Sequence, residues 1–214
     1  MTHPTVAIRA YRAAGALAIL TAVVYQVAKG LQAPHWSAAD YFSYFTILSN
    51  LFAAGILLAG ALKGGAARSA GFELLRGAAV VYMLTTGIVY AVLLSGQDSS
   101  TPWVNTIVHR VMPVAMALDW VIDPPRTQLA VRSTLVWLSF PLAYIAYTLI
   151  RGSLVNWYPY FFVNPHHSAG YLGVAVGSLA VGAGILALIL LTTWVGNSRA
   201  ASIEPLPSGG VSAR

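Results

Sequence analysis

The sequence predicts an all-α fold, a polytopic integral membrane bundle of six transmembrane helices, on three observations. Of the 214 residues, 57% are hydrophobic and 8% charged, whereas soluble domains carry about 25% charged residues. So few charges do not build a water-facing surface, and lipid covering most of the chain is the alternative. The apolar residues fall into runs of about 20, the length that crosses a hydrocarbon core as a helix. Between the runs lie turn formers: Lys63-Gly64-Gly65, Gly96-Gln97-Asp98, Asp123-Pro124-Pro125 and Asn164-Pro165.

The first span runs from about Ala10 to Gly30. Arg9 and Arg12 precede its apolar run, as in a signal peptide, but no small-x-small cleavage site follows, so it is read as a span. The second covers Tyr41 to Leu62 and the third Leu74 to Ser95. The fourth, Pro102 to Ile122, is the most polar. The fifth runs from Leu129 to Ile150 and the sixth from Gly170 to Val195. Residues 1–196 thus form a six-helix transmembrane domain. Residues 197–214, rich in Ser, Gly and Pro, are expected to be a disordered cytoplasmic tail.

Basic residues orient the spans. With the N-terminus inside, the inner side holds Arg9, Arg12, Lys63, Arg68, Arg76, Arg126, Arg132, Arg199 and Arg214; the outer side holds Lys29 and Arg151. Both termini are then cytoplasmic. Trp36, Tyr41, Tyr44, Trp103, Trp157, Tyr158 and Tyr160 fall near the outer ends, the depth amphipathic rings prefer. Gly170, Gly173, Gly177, Ala180 and Gly184 make one small-residue stripe on the sixth span, read as a face for close packing within the bundle, with a dimer face as the alternative.

The net charge of +6 does not point to nucleic acid, because the basic residues lie between apolar runs instead of forming a basic stripe. With no cysteine, disulfides, thiol nucleophiles and Cys-based metal sites are excluded. No P-loop, G-x-S-x-G elbow or H-E-x-x-H occurs. The six acidic residues form no metal-ligand spacing.

Ionisable residues inside a span are costly and mark functional candidates. The fourth span carries His109, Arg110 and Asp119. Asn105, His109 and Pro113 share a face, while Arg110 points roughly 100° away. On the second span Ser43, Thr46 and Asn50 share a face by spacings of three and four. Thr46 and His109 each lie about six residues below the outer ends, roughly 9 Å, so a hydroxyl and an imidazole can meet at one level. That is the minimum for a nucleophile activated by a base, and a free His titrates near pH ~6.5, where the role needs it. The bland alternatives are a Thr46 hydroxyl bonded to a carbonyl one turn back, near Phe42, and a His109 that only bridges helices. Arg110 is expected to pair with Asp40 or Asp98, with an anionic substrate head as the alternative. Asp119 and Asp123 are expected to meet inner-side arginines, and His166 and His167 to be solvated.

The blocks YFSYFTILSNL, RGAAVVYMLTTGIVY, TPWVNTIVHRVMPVAMALDWVIDPPR, PLAYIAYTLIRG and NWYPYFFVNP resemble the bacterial Pr-six-Pr membrane proteins over most of the chain. These in turn are distantly similar to the animal androgen-induced protein family. The resemblance implies a bacterial plasma-membrane protein. Animal members of that similar family are multipass hydrolases of fatty acid esters of hydroxy fatty acids that depend on an intramembrane threonine and histidine, so the resemblance implies a lipid ester hydrolase, with the lipid of the bacterial branch left open. Tyr44-Phe45-Thr46 looks like the threonine motif, Asn105, His109 and Pro113 like the histidine motif, and Tyr158-Pro159 like the last outer loop.

The leading expectation is therefore a lipid ester hydrolase with Thr46 as nucleophile and His109 as general base. Asn50 or Asn105 would orient the histidine or donate to the oxyanion. The partners are membrane lipids and a lipid ester substrate entering sideways from the bilayer. No metal or cofactor is required, and no acid completes a triad. The alternatives are a binding or transport protein with Asn105, His109 and Arg110 lining a polar site, and a structural membrane protein.

Overall fold

The computed structural model describes residues 6–63, 68–96, 101–167 and 169–201. All regular structure among them is helical. In chain order it comprises α1 (Val6–Gly30), α2 (Ala38–Tyr41), α3 (Phe45–Leu62), α4 (Ala70–Val89), α5 (Pro102–Thr106), α6 (Met112–Ile122), α7 (Val131–Thr134), α8 (Ser139–Val155) and α9 (Gly170–Ala201). Two wide π turns interrupt the regular winding. Tyr90–Leu94 prolongs α4, and Ile107–Val111 joins α5 to α6 in one rod.

Five helices are long and apolar enough to cross a membrane: Val6–Gly30, Phe45–Leu62, Ala70–Leu94, Val131–Val155 and Gly170–Ala200. The α5–α6 rod, expected as a sixth span, is not among them. It carries Asn105, His109, Arg110 and Asp119, and it packs one side against α1, α3 and α4 while Val111, Val114 and Leu118 face outward. Leu17, Val24, Leu142, Leu154, Leu172, Leu179 and Trp194 point outward from the surrounding helices. Such an apolar exterior is compatible with a membrane-embedded chain and foreign to a soluble monomer.

Lipid tails are as apolar as leucine, so close packing and hydrogen bonds, not hydrophobic burial, hold helices together in a bilayer. The contacts match that need. A Cβ on Gly77 would lie 2.2 Å from the Trp137 ring, and one on Gly196 2.8 Å from the Trp120 ring. One on Gly87 would lie 2.9 Å from Pro113 Cβ, so its absence lets α4 close on the α5–α6 rod. The small-residue stripe on α9 behaves differently from the expectation of close packing. Gly177 approaches the Phe162 carbonyl, but open space lies over Gly170 and Gly184.

One end of the bundle is closed by a buried charge network. Arg12 on α1 meets Asp119 at 2.6 Å and Asp123 at 2.7 Å. Arg76 on α4 bridges Glu73 and Asp119, each at 2.8 Å. Arg68 reaches Glu73 at 2.7 Å and also pairs with Asp123. Three guanidinium groups thus neutralise three carboxylates, as expected for Asp119 and Asp123. Buried charges persist only when so paired.

Several span ends shift by two to five residues from the sequence reading, and two differences change the architecture. The second span is not continuous from Tyr41, because α2 ends there and α3 begins at Phe45. The last helix runs to Ala201, past the expected domain end at 196, and Asn197 pairs through its amide with both backbone groups of Leu129. Residues 202–214 of the expected tail lie outside the described residues.

Candidate active site

The break before α3 places Thr46 in a first helical turn, where backbone N–H groups have no partner within the helix. Tyrosines from distant segments supply them. Phe45 N donates to the Tyr144 hydroxyl (3.2 Å) and Thr46 N to the Tyr160 hydroxyl (3.4 Å). Tyr144 in turn donates to the Ser43 carbonyl at 2.9 Å. The start of α3 is thereby tied to α8 and to the 3-10 turn Phe161–Val163 that follows Tyr160.

Thr46 Oγ1 lies 3.2 Å from His109 Nε2, so the structure brings together the two residues singled out from the sequence. The contact is to the imidazole and not to the Phe42 carbonyl. On the far side of the ring, His109 Nδ1 is 3.2 Å from the carbonyl oxygen of Asn105. A carbonyl only accepts, so Nδ1 carries the proton, and the Nε2 lone pair faces the threonine hydroxyl. Asn105 O occupies the place that an aspartate fills in a serine triad. His109 itself sits in the π turn Ile107–Val111, a wide turn of a kind frequent at functional sites.

The ring is also gripped from its face. Tyr90, first residue of the other π turn, stacks on His109 with centroids 4.3 Å apart and planes 23° apart. The Asn105 amide donates to the Tyr90 hydroxyl at 2.6 Å. Asn50 spends both amide hydrogens on carbonyls, Thr46 O at 2.8 Å and Val108 O at 3.2 Å. It therefore joins the backbones that carry the pair and has no hydrogen left for an oxyanion. Nothing in the sequence distinguished Tyr90 or Tyr160. Tyr160 had the signature of an interfacial ring, yet it is buried against Thr46.

Thr46 forms part of the wall of a cavity of about 120 Å³ between the start of α3, the end of α4, α8 and α9. Phe45, Tyr144, Ile145 and Ile185 make the lining mainly apolar. Leu142 on the rim is 62% exposed, so the cavity reaches the apolar exterior. The hydroxyls of Thr86 and Ser178, also on the wall, are buried and have no hydrogen-bond partner among the described residues. A larger cavity, about 370 Å³, between Phe52, Tyr82 and Phe140 holds neither Thr46 nor His109.

The remaining candidates fall elsewhere. Arg110 does not pair with Asp40, which is engaged by Arg151 at 2.5 Å; Asp98 lies outside the described residues. The Arg110 guanidinium instead stands 5.8 Å over the Tyr90 ring. His166 and His167 are exposed. Among the described residues no cluster of His, Asp and Glu is arranged to hold a metal ion.

Compared with protein-family models, with curated proteins and with solved structures, the chain finds no match in any of the three.

Proposed function

We propose that this chain is a lipid ester hydrolase of six transmembrane helices in the bacterial plasma membrane, with both termini cytoplasmic and the α5–α6 rod as the most polar span. The observation that carries the reading is the 3.2 Å contact of Thr46 Oγ1 with His109 Nε2, on a ring whose other nitrogen is held by a carbonyl. A threonine hydroxyl is a weak nucleophile until an adjacent base takes its proton, and this arrangement supplies the base in the right tautomer. The family resemblance read from the sequence points to the same two residues.

In the proposed reaction an ester enters from the bilayer past Leu142 and lays its acyl chain along the apolar cavity. His109 Nε2 takes the Thr46 proton as Oγ1 attacks the carbonyl carbon. The Tyr160 hydroxyl, already beside the Thr46 backbone, donates to the oxyanion that forms. The tetrahedral adduct collapses to an acyl-threonine, and the leaving alkoxide takes the proton from Nε2. A water deprotonated by the same nitrogen then attacks the acyl carbon, releasing the carboxylic acid and restoring Thr46. The hydroxyls of Thr86 and Ser178 suit the holding of that water. Throughout, Nδ1 keeps its proton on Asn105 O.

Hydrolysis of a panel of lipid esters by the purified protein tests the reading. Thr46→Ala and His109→Ala are each expected to lower kcat by about 100-fold or more with the protein still folded. Wild-type turnover no greater than that of either variant overturns the proposal and favours lipid binding or transport.

A further inference from the structure

Arg110 is the feature that the hydrolytic reading leaves unused. It lies in the π turn Ile107–Val111, one residue after His109 and about two helical turns from the Pro102 end of its rod. Its side chain is exposed at the bundle surface. Arg12 and Arg76 are matched by carboxylates and Arg151 by Asp40, while Arg9 and Arg199, near helix ends, donate to backbone carbonyls. Arg110 makes no ion pair among the described residues. Its contact is the face of Tyr90, at 5.8 Å, the same ring that stacks on His109. A guanidinium held toward lipid without a counter-ion is strongly disfavoured. The described acid in this half of the bundle, Asp40, is already taken. Among the described residues no counter-charge remains for Arg110, and the surroundings of an exposed membrane-helix residue are amphiphiles.

We propose that Arg110 is an anion-binding residue for an amphiphile with a carboxylate or phosphate head, docked beside the Thr46–His109 pair. Guanidinium matches both anions through paired N–H donors. The guanidinium stands over the Tyr90 ring, and Arg110 is exposed, so a headgroup can reach it. That the bound lipid is also a substrate rests on the reading given above; the anion site itself does not.

The test uses the full chain in detergent, read by native mass spectrometry as retained lipid. The probes are oleate against methyl oleate, and phosphatidylglycerol against phosphatidylcholine of the same chains. Thr46→Ala serves as the background, so that no probe is consumed. The expected result is selective retention of one or both anionic lipids, falling about tenfold or more in Arg110→Gln and largely kept in Arg110→Lys. Preference for oleate identifies a carboxylate ligand, and preference for phosphatidylglycerol a phosphate ligand. Equal retention of charged and neutral probes, or selection unchanged in a folded Arg110→Gln protein, overturns the proposal. Retention is measured without turnover. A wild type that selects anions but hydrolyses nothing keeps this inference and removes the hydrolase reading, and an active, unselective one does the reverse.

Discussion

At the scale of single residues, the imidazole of His109 is over-determined. Asn105 O holds Nδ1, Tyr90 covers the face, and Nε2 is left for Thr46. Each grip has a different consequence when lost. Tyr160→Phe removes the proposed oxyanion donor and the acceptor for Thr46 N, and kcat is expected to fall about 10²–10³-fold with little change in KM. Tyr90→Ala removes the stack and the Asn105 amide's partner, and a smaller loss in kcat is expected because Asn105 O still sets the tautomer. Steady-state kinetics on the two variants separates these outcomes. A Tyr160→Phe enzyme with unchanged kcat would take Tyr160 out of the mechanism.

Thr46, Asn105 and His109 were legible because polar residues in a span are rare and their positions along two parallel spans coincide in depth. Tyr90 and Tyr160 were not, because tyrosine near a span end is ordinary in a membrane protein and its partner is set by tertiary packing. The failed pairing of Arg110 with Asp40 has the same origin. Charge sign says which residues attract, but Arg151 reaches Asp40 from α8, a proximity that sequence spacing does not encode.

At the scale of elements, the site depends on irregularities in otherwise regular helices. The break at residues 42–44, between α2 and α3, makes Thr46 a first-turn residue, and two π turns carry His109 and Tyr90. None of these is visible in a hydropathy profile, since an apolar stretch reads as one continuous span and a 3.6-residue period leaves no mark where the winding widens. Five of the six runs read from composition are long apolar helices, and the polar α5–α6 rod is not among them. Gly87 supplies the complementary device. A Cβ there would meet Pro113 Cβ at 2.9 Å and His109 O at 3.2 Å, so Gly87→Ala forces α4 from the rod at the level of the site. The expected cost is about 1–3 kcal/mol of stability. Displacing the histidine by even ~1 Å is expected to lower turnover about 100-fold. Thermal melting and kinetics on the same sample check both. Unchanged turnover would mean that the rod tolerates the shift.

At the scale of the whole molecule, the buried network of Arg12, Arg68, Arg76, Glu73, Asp119 and Asp123 locks one end of the bundle, away from the site. Asp119 answers both Arg12 and Arg76, so Asp119→Asn leaves two guanidinium groups short of a partner and is expected to destabilise by about 3–5 kcal/mol. The network also sets an acid limit. Burial would raise the Asp123 carboxyl, but the hydrogen bond and charge of Arg68, with Arg76 and Arg12, hold it below its ordinary value. Its contribution is therefore complete above the unfolded carboxylate value of about 4 and is lost as pH falls through the lower folded value. Melting curves in detergent are expected to show the wild type losing stability below about pH 4, with Asp123→Asn less stable at neutral pH and less sensitive to acid. Parallel curves for the two proteins would remove Asp123 from the account.

The most direct test of the central claim is whether the Thr46 hydroxyl becomes covalently bound. An alkyl phosphonate ester mimic, incubated with the purified protein and followed by peptide mass spectrometry, is predicted to leave its phosphonyl group on Thr46. Labelling is predicted to vanish in Thr46→Ala and to slow about 100-fold or more in His109→Ala. A wild-type protein that stays unlabelled while folded, or one labelled at another residue, would contradict the assignment of Thr46 as the nucleophile.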